Sequence, residues 1–337
     1  MSSPPENTFP PLAPRVVVIG GATATGKSAA GLTLATTLDG EILSADALAV
    51  YRGMDIGTAK PSAADRASIP HHLVDLVDPD DEFSITQYLR QAHRCVAQIE
   101  ARGKVPIFVG GTPLYLKAIL RGFDPGPPPD PDFRGAVMRD VETHGAAALH
   151  QRLAQVDPLA AHRIDPGDVR RMIRALEVSY LTGQPLSHRQ TQFESAAPSE
   201  LPNAIWLRWP REQLHRRINR RTEAMFEAGL VAEVESLRNR FGTLSRTAAS
   251  AVGYKEVWQR LDSQSPPSDD PEAWEACRDE VATHTRQLAR RQETWFRSLA
   301  EMRPLDIHGE DHAESTLRDW IATGISRAPA TSHSSAG

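Results

Sequence analysis

Apolar residues gather in short blocks over the first third of the chain. Val16, Val17, Val18 and Ile19 form a β-branched run closed by Gly20 and Gly21. An unbroken run of this kind is the pattern of a strand covered on both faces, as in a parallel sheet. The spacing predicts a helix over about 27–38 and a second strand over 41–44. A further helix is predicted over 83–102, with Leu89, Ala92, Val96 and Ile99 on one stripe. Residues 105–109 read as another buried strand, ending in Gly110 and Gly111. Strand and helix alternate in the order of an α/β doubly wound core with a parallel sheet.

The texture changes after Arg121. Residues 124–131 contain five prolines and a glycine, and helical periodicity follows to about Gly183, most clearly over 168–181. Residues 204–209 read as a strand stopped by Pro210, and 211–240 and 274–303 as long helical stretches. The expected organisation is a loose tail over 1–14, the first part of the core over 15–123 and a helical insertion domain over 124–200. A return to the core with closing helices follows over 201–305, then a mostly flexible tail over 306–337. No repeat occurs at a solenoid period.

Composition adds little to this picture: 337 residues, 40% hydrophobic and 24% charged, are ordinary for a globular chain with a sizeable core. The two cysteines, Cys95 and Cys277, have neither the spacing of a zinc site nor that of a disulfide framework, which suits a reducing compartment. Neither a secretory leader nor an apolar run of membrane-spanning length can be read, so the expectation is a cytoplasmic protein with no membrane partner. A net charge of −5 excludes a chain basic all over, but nucleic-acid binding is decided by local patches.

The chemistry begins after the first strand. Gly21, Ala22, Thr23, Ala24, Thr25, Gly26, Lys27 and Ser28 fit G-x-x-x-x-G-K-S/T between a strand and a helix. Glycines at the two ends let backbone N–H groups turn inward around phosphate oxygens, and the following helix points its positive end to the same place. Lys27 supplies a charge for the terminal phosphate, and the Ser28 hydroxyl is placed to hold Mg²⁺. The loop alone fits ATP, GTP or a small diphosphate. The absence of NKxD weighs against a GTPase, and a kinase of a small metabolite or nucleotide stays open.

Asp46 follows the second strand, on the side where open α/β sheets bind ligands. A carboxylate there takes a proton from a nucleophile or holds Mg²⁺ through water, unless it merely caps a helix or faces solvent. Arg52 and Lys60 lie in the next loop, as phosphate contacts or as ordinary surface charges. Thr112 is either a ligand hydroxyl or the cap of a helix that starts at Pro113. His71 and His72 lack partners at metal-ligand spacing and read as structural or phosphate-side residues.

These segments occur together with YRGMDIGTAKP at 51–61, PHHL at 70–73, RALE at 174–177, VGYKE at 252–256 and RQETWFR at 291–297. In that order they resemble the bacterial tRNA dimethylallyltransferases over about residues 15–305. The resemblance implies transfer of a dimethylallyl group from dimethylallyl diphosphate to N6 of the adenosine 3′ of the anticodon, tRNA position 37. Pyrophosphate leaves, and the phosphate loop holds the prenyl donor instead of a nucleoside triphosphate. It further implies a P-loop NTPase-like core, Mg²⁺ as cofactor, tRNA as partner and a monomer. Asp46, Thr112 and Arg221 become the catalytic set, with Arg221 at the diphosphate and Arg217 its neighbour one helical turn earlier. The implied RNA contacts are Asp46, Ala47, Leu48, Ala49, Thr112, Arg134, Arg170, Arg171, Arg174, Gly253, Tyr254, Lys255, Arg290, Arg291, Gln292, Trp295 and Arg297. Three departures stand out: Ala47 where many members carry serine, Ser250 where many carry glutamine, and Ala22 where proline is common.

Three arginine clusters stand out against the acidic total: Arg170, Arg171 and Arg174; Arg216, Arg217, Arg220 and Arg221; and Arg286, Arg290, Arg291 and Arg297 beside Trp295 and Phe296. Positive helix faces next to aromatics suit a nucleic-acid backbone with unstacked bases. An enzyme acting on a base must also take it out of the stack. A salt-bridged solvent face with Trp295 in the core is the alternative.

Overall fold

A computed structural model of the chain describes residues 8–13, 15–189, 201, 203–262 and 271–324. It divides into two compact units, one of residues 12–120 and 197–337 and one of residues 1–11 and 121–196.

The larger unit begins with β1 (Val17–Gly21), α1 (Lys27–Leu38), β2 (Gly40–Ala45), α2 (Ala63–Ser68), β3 (His71–His72), α3 (Ile85–Ala101), β4 (Val105–Gly110) and α4 (Pro113–Arg121). The smaller unit holds α5 (Pro131–Val156), α6 (Pro158–Arg163), α7 (Val169–Thr182) and α8 (Leu186–Arg189). The larger unit resumes with β5 (Ala204–Arg208), α9 (Arg211–Glu227), α10 (Leu230–Phe241), α11 (Arg246–Ala249) and α12 (Tyr254–Leu261). It closes with α13 (Pro271–Arg297), β6 (Arg303–Asp306) and α14 (Glu310–Gly324).

Six parallel strands lie in the order β3-β2-β4-β1-β5-β6. Val18 is opposite Phe108 of β4 on one side and Ala204 of β5 on the other. Every residue of β1 is buried, which is why it reads as a run without polar alternation. The chain leaves β1 toward β4 and β2, while β5 lies on the other side. The carboxyl end of β1 is therefore where the strand order reverses, the place where such sheets form a ligand crevice. The phosphate loop, Asp46 and Gly111–Thr112 all leave the sheet at this end, from β1, β2 and β4.

Two expected tails are partly ordered. Phe9 pairs with Phe123 in an antiparallel bridge, and the buried Leu12 donates its N–H to Ile119 O. Residues 1–7 and 14 lie outside the described residues. At the other end β6 completes the sheet and α14 buries Leu317 and Trp320 in the main core. The flexible tail expected from residue 306 is thus corrected as far as residue 324; the rest lies outside the described residues. A polar sequence with two apolar anchors gave too weak a periodic signal to reveal this helix.

The smaller unit has its own core of Val137, Leu149, Leu153, Met172, Ile173 and Leu176. α5 is broken at Gly145, whose φ of 80° no helix accommodates. Glu177 is buried in this unit, accepting from Asp130 N at 2.8 Å, from Arg134 Nε and Nη2 at 2.7 and 2.8 Å, and from Arg174 Nη1 at 2.5 Å. Arg174 also holds the proline-rich turn through Pro125 O and Pro127 O. Burial raises the Glu177 carboxyl, but the two guanidiniums and the Asp130 amide outweigh it and hold it below the ordinary range.

Candidate functional site

The loop between β1 and α1 winds through left-handed residues: φ is 63° at Ala24 and 87° at Gly26. Gly26 caps α1 without a side-chain bond, and no acidic residue occupies the first helical turn. The helix therefore presents its N-terminal amides and positive dipole end to whatever lies in the loop. Lys27 is folded back, its Nζ donating to Ala22 O at 2.7 Å, and the Thr25 hydroxyl donates to the same carbonyl at 2.8 Å. Ser28 is exposed at the start of the helix.

Asp46 and Arg221 are close enough to this loop to act on its charge. Burial, reinforced by the Arg221 guanidinium and opposed by the Asp46 carboxylate, lowers the Lys27 ammonium to about 7. Burial likewise lowers Arg221, again opposed by Asp46. The Arg221 side chain makes no hydrogen bond or ion pair among the described residues. It also lines a cleft of about 640 Å³ with Ile56, Ala59, Met225 and Ala228. Asp46 Oδ1 accepts from Leu48 N at 2.8 Å. The Thr112 hydroxyl accepts from Ala47 N at 2.9 Å and so fixes the turn that carries Asp46. Beneath it Tyr88 and Tyr115 stack with ring centroids 3.8 Å apart, and Tyr88 donates to Ser44 O at 2.9 Å. Burial and then neighbouring groups that include Asp46 push both phenols up, so they stay protonated.

Gly110 at the end of β4 and Gly111 after it make the approach possible. A Cβ on Gly111 would meet Gln292 Nε2 at 2.8 Å and Gly21 O at 3.0 Å. Gln292 fills this gap: it accepts from Thr23 N at 2.9 Å and donates to Gly111 O at 2.8 Å, joining the phosphate loop to the end of β4.

Several residues expected at RNA or phosphate are engaged elsewhere. Gln292 and Phe296 lie on the inward face of α13, Phe296 stacked on Trp206, so Gln292 serves the loop. Tyr254 is buried, donates to Glu233 and accepts from Gly57 N at 3.1 Å; burial and the Glu233 carboxylate raise its phenol far above the ordinary value. Gly253 is buried with its N–H on Glu256 at 2.7 Å, and Ala49 is buried, its carbonyl accepting from Asp75 N. Lys60, its side chain only 2% exposed, holds Asp55, Asp75 and Tyr51 O, and Arg52 pairs with Asp78 and Leu76 O, so both cations already have acceptors. His72 bonds Glu41 at 2.6 Å and His71 bonds Ile69 O, both structural. Arg134 and Arg174 spend their guanidiniums on Glu177, and Arg171 lies near Asp168 at 3.2 Å. Arg170 shares the Arg174 face, one turn earlier on α7.

Others remain at the surface. Lys255, Arg290, Arg291 and Arg297 are exposed, and Trp295 is 39% exposed with Lys117 Nζ 5.6 Å from its ring centre. Arg291 and Trp295 are four residues apart on one face of α13. Leu48 is half-buried beside Asp46. Sequence reasoning missed Trp209, Glu310 and the part played by Arg217; Trp209 and Arg217 reach the loop only through tertiary contacts, and Glu310 touches Arg217.

The family model for IPP transferase matches residues 49–299. The chain belongs to the IPP transferase family. Among curated relatives, a tRNA dimethylallyltransferase of Rhodopirellula baltica is 52% identical, covering 90% of this chain and 92% of that protein. One of Methylibium petroleiphilum is 46% identical over 87% and 89%. Of solved structures, the full-length tRNA isopentenylpyrophosphate transferase of Bacillus halodurans superposes with a TM-score of 0.64 at 36% identity, covering 91% and 95%. A eukaryotic dimethylallyltransferase acting on tRNA gives 0.73 at 25% identity, covering 93% and 81%. For an IPP transferase family member, a P-loop NTPase-like core with a six-strand parallel sheet is the expected fold, and it is the one observed.

Proposed function

We propose that this chain transfers a dimethylallyl group from dimethylallyl diphosphate to N6 of the adenosine 3′ of the anticodon, tRNA position 37, with release of pyrophosphate. One observation carries the reading: the half-buried Arg221 guanidinium has no hydrogen-bonding partner among the described residues, yet it lies within electrostatic reach of Lys27 and Asp46. Two cations against one carboxylate at an amide-lined loop call for an anion. The relatives' names supply the rest of the identity.

In the proposed reaction N6 forms a bond to the first carbon of the donor as the bond from that carbon to the diphosphate oxygen breaks. Asp46 accepts the proton that N6 loses. Lys27, Arg221 and the loop amides of residues 21–28 take up the charge that grows on the leaving pyrophosphate. Thr112 keeps Asp46 in place through Ala47 N. The hydroxyl of Ser28 is a hard oxygen donor that suits Mg²⁺. Among the described residues no cluster of three or more His, Cys, Asp or Glu could hold a metal by itself, so phosphate oxygens would complete the shell. When bound, Mg²⁺ neutralises charge on the diphosphate. RNA would meet the exposed Arg290, Arg291, Trp295, Arg297 and Lys255 and, on the smaller unit, Arg170 and Arg171.

No helix among the described residues is long and apolar enough to cross a membrane. The proposed setting is a cytoplasmic monomer. The test is incubation with labelled dimethylallyl diphosphate, Mg²⁺ and unmodified tRNA, with nucleosides then analysed by mass. Label in N6-dimethylallyl adenosine is expected. ATP turnover without RNA labelling would reject the reading in favour of a small-molecule kinase.

A further inference from the structure

Three consecutive residues of the phosphate loop are gripped from outside, each by a side chain from a different segment. Thr23 N donates to Gln292 of α13 at 2.9 Å. Ala24 O accepts from Arg217 Nε of α9 at 2.8 Å. Thr25 O accepts from the indole N–H of the buried Trp209 at 3.0 Å. The Arg217 guanidinium also lies over the Trp209 ring, 4.3 Å from its centre, and reaches Glu310 of α14 at 2.8 Å.

A trans peptide carries its C=O and N–H on opposite sides. Carbonyls of Ala24 and Thr25 turned outward onto Arg217 and Trp209 thus aim the N–H groups of Thr25 and Gly26 the other way, into the cradle. Ala24 has a φ of 63°, a left-handed conformation that an L side chain adopts only at a cost. Something must hold it there, and Arg217 grips that residue's own carbonyl.

We propose that Arg217 is a positioning residue for the phosphate loop: with Trp209 stacked beneath it and Glu310 outside, it locks left-handed Ala24 so that the loop amides face the diphosphate. This rests on the reading of the loop as a diphosphate site. Lysine would not replace it, because a lysine has neither the Nε–H fork nor a flat face for the indole.

Titration of the full chain with inorganic pyrophosphate and Mg²⁺ tests it. Arg217→Ala is expected to raise the Kd about tenfold, the order of the population cost of left-handed alanine. Arg217→Lys should behave nearly as badly. In an Ala24→Gly background, where the left-handed turn carries no Cβ penalty, the same Arg217→Ala change should cost threefold or less. The donor KM should rise with little change in the tRNA KM. A penalty equal in both backgrounds, or an Arg217→Ala chain that binds within twofold of its parent, overturns the inference. A parent chain that binds no pyrophosphate would instead remove the diphosphate reading. If Arg217→Ala does not fold, the lysine variant in the two Ala24 backgrounds decides in the same way.

Discussion

Glu177→Gln is the sharpest test of the helical unit. The buried carboxylate accepts four hydrogen bonds, three of them from guanidinium N–H groups. An amide of the same shape has one oxygen. Whichever way it turns, two acceptances are lost and an N–H is aimed at a guanidinium. Charge-assisted bonds are worth about 1.5–3 kcal/mol each. Arg134 and Arg174 keep 44% and 28% side-chain exposure, so their freed ends can rehydrate, and the lower figure applies. The expected loss is about 3 kcal/mol, at the bottom of the range for breaking one side of a buried pair. All six tryptophans lie outside the smaller unit, so fluorescence would miss this loss. Hydrogen exchange followed by mass on peptides from α5 and α7 reads it as openings about a hundredfold more frequent at pH 7. The pH dependence has a definite sign. The Glu177 carboxyl is held below its ordinary 4.5, so its contribution is complete above that pH and fades as the pH falls below it. The gap between parent and variant should therefore shrink in acid. Exchange in α7 within twofold of the parent at pH 7, or a gap that widens below pH 4, would refute the reasoning.

Asp46→Asn should slow single-turnover transfer by about 10²- to 10⁴-fold while pyrophosphate still binds, since a general base acts on the rate; normal turnover removes Asp46 from the mechanism. Arg221→Ala should weaken binding of pyrophosphate and slow the chemistry together, measured by calorimetry and by label transfer; unchanged values reject Arg221 as the anion's partner. Arg291→Ala should lower the slope of log affinity for tRNA against log salt by about one, with little effect on pyrophosphate binding. An unaltered slope would leave Arg291 off the RNA path.

What the sequence makes legible depends on how local the physics is. β1, β4 and β5 are visible because strands buried on both faces need largely apolar runs, and β2 shows only through Ile42 and Leu43 between Glu41 and Ser44. The loop at 21–28 is visible because its glycines, Lys27 and Ser28 act within eight residues. β3 has only two residues and β6 reads Arg-Pro-Leu-Asp; each exists because a neighbouring strand offers its backbone, which no local pattern records. α14 has too few apolar anchors to announce itself. The braces on the loop are equally silent, because Gln292, Trp209 and Arg217 lie 269, 184 and 193 residues from the atoms they hold.

Counting arginines located clusters but did not tell a working cation from a structural one; the partner of each does. Lys60 is sealed between two carboxylates, Arg134 and Arg174 share Glu177, and Arg217 is divided between a carbonyl, an indole and Glu310. A phosphate offered to any of them must compete with an acceptor already in place, so its net gain is small. Arg221 in its half-buried position, and Arg290 and Arg291 on the surface, have no such acceptor among the described residues. Arg221 carries the desolvation cost in advance, which makes an arriving anion worth most there. Arg290 and Arg291 remain hydrated and gain mainly by displacing counterions from a polyanion. The same residue type thus serves two ligands by burial alone: a compact diphosphate in the crevice, where salt should matter little, and an extended RNA backbone on α13, where it should matter a great deal. A tRNA affinity as insensitive to salt as that for pyrophosphate would contradict this division.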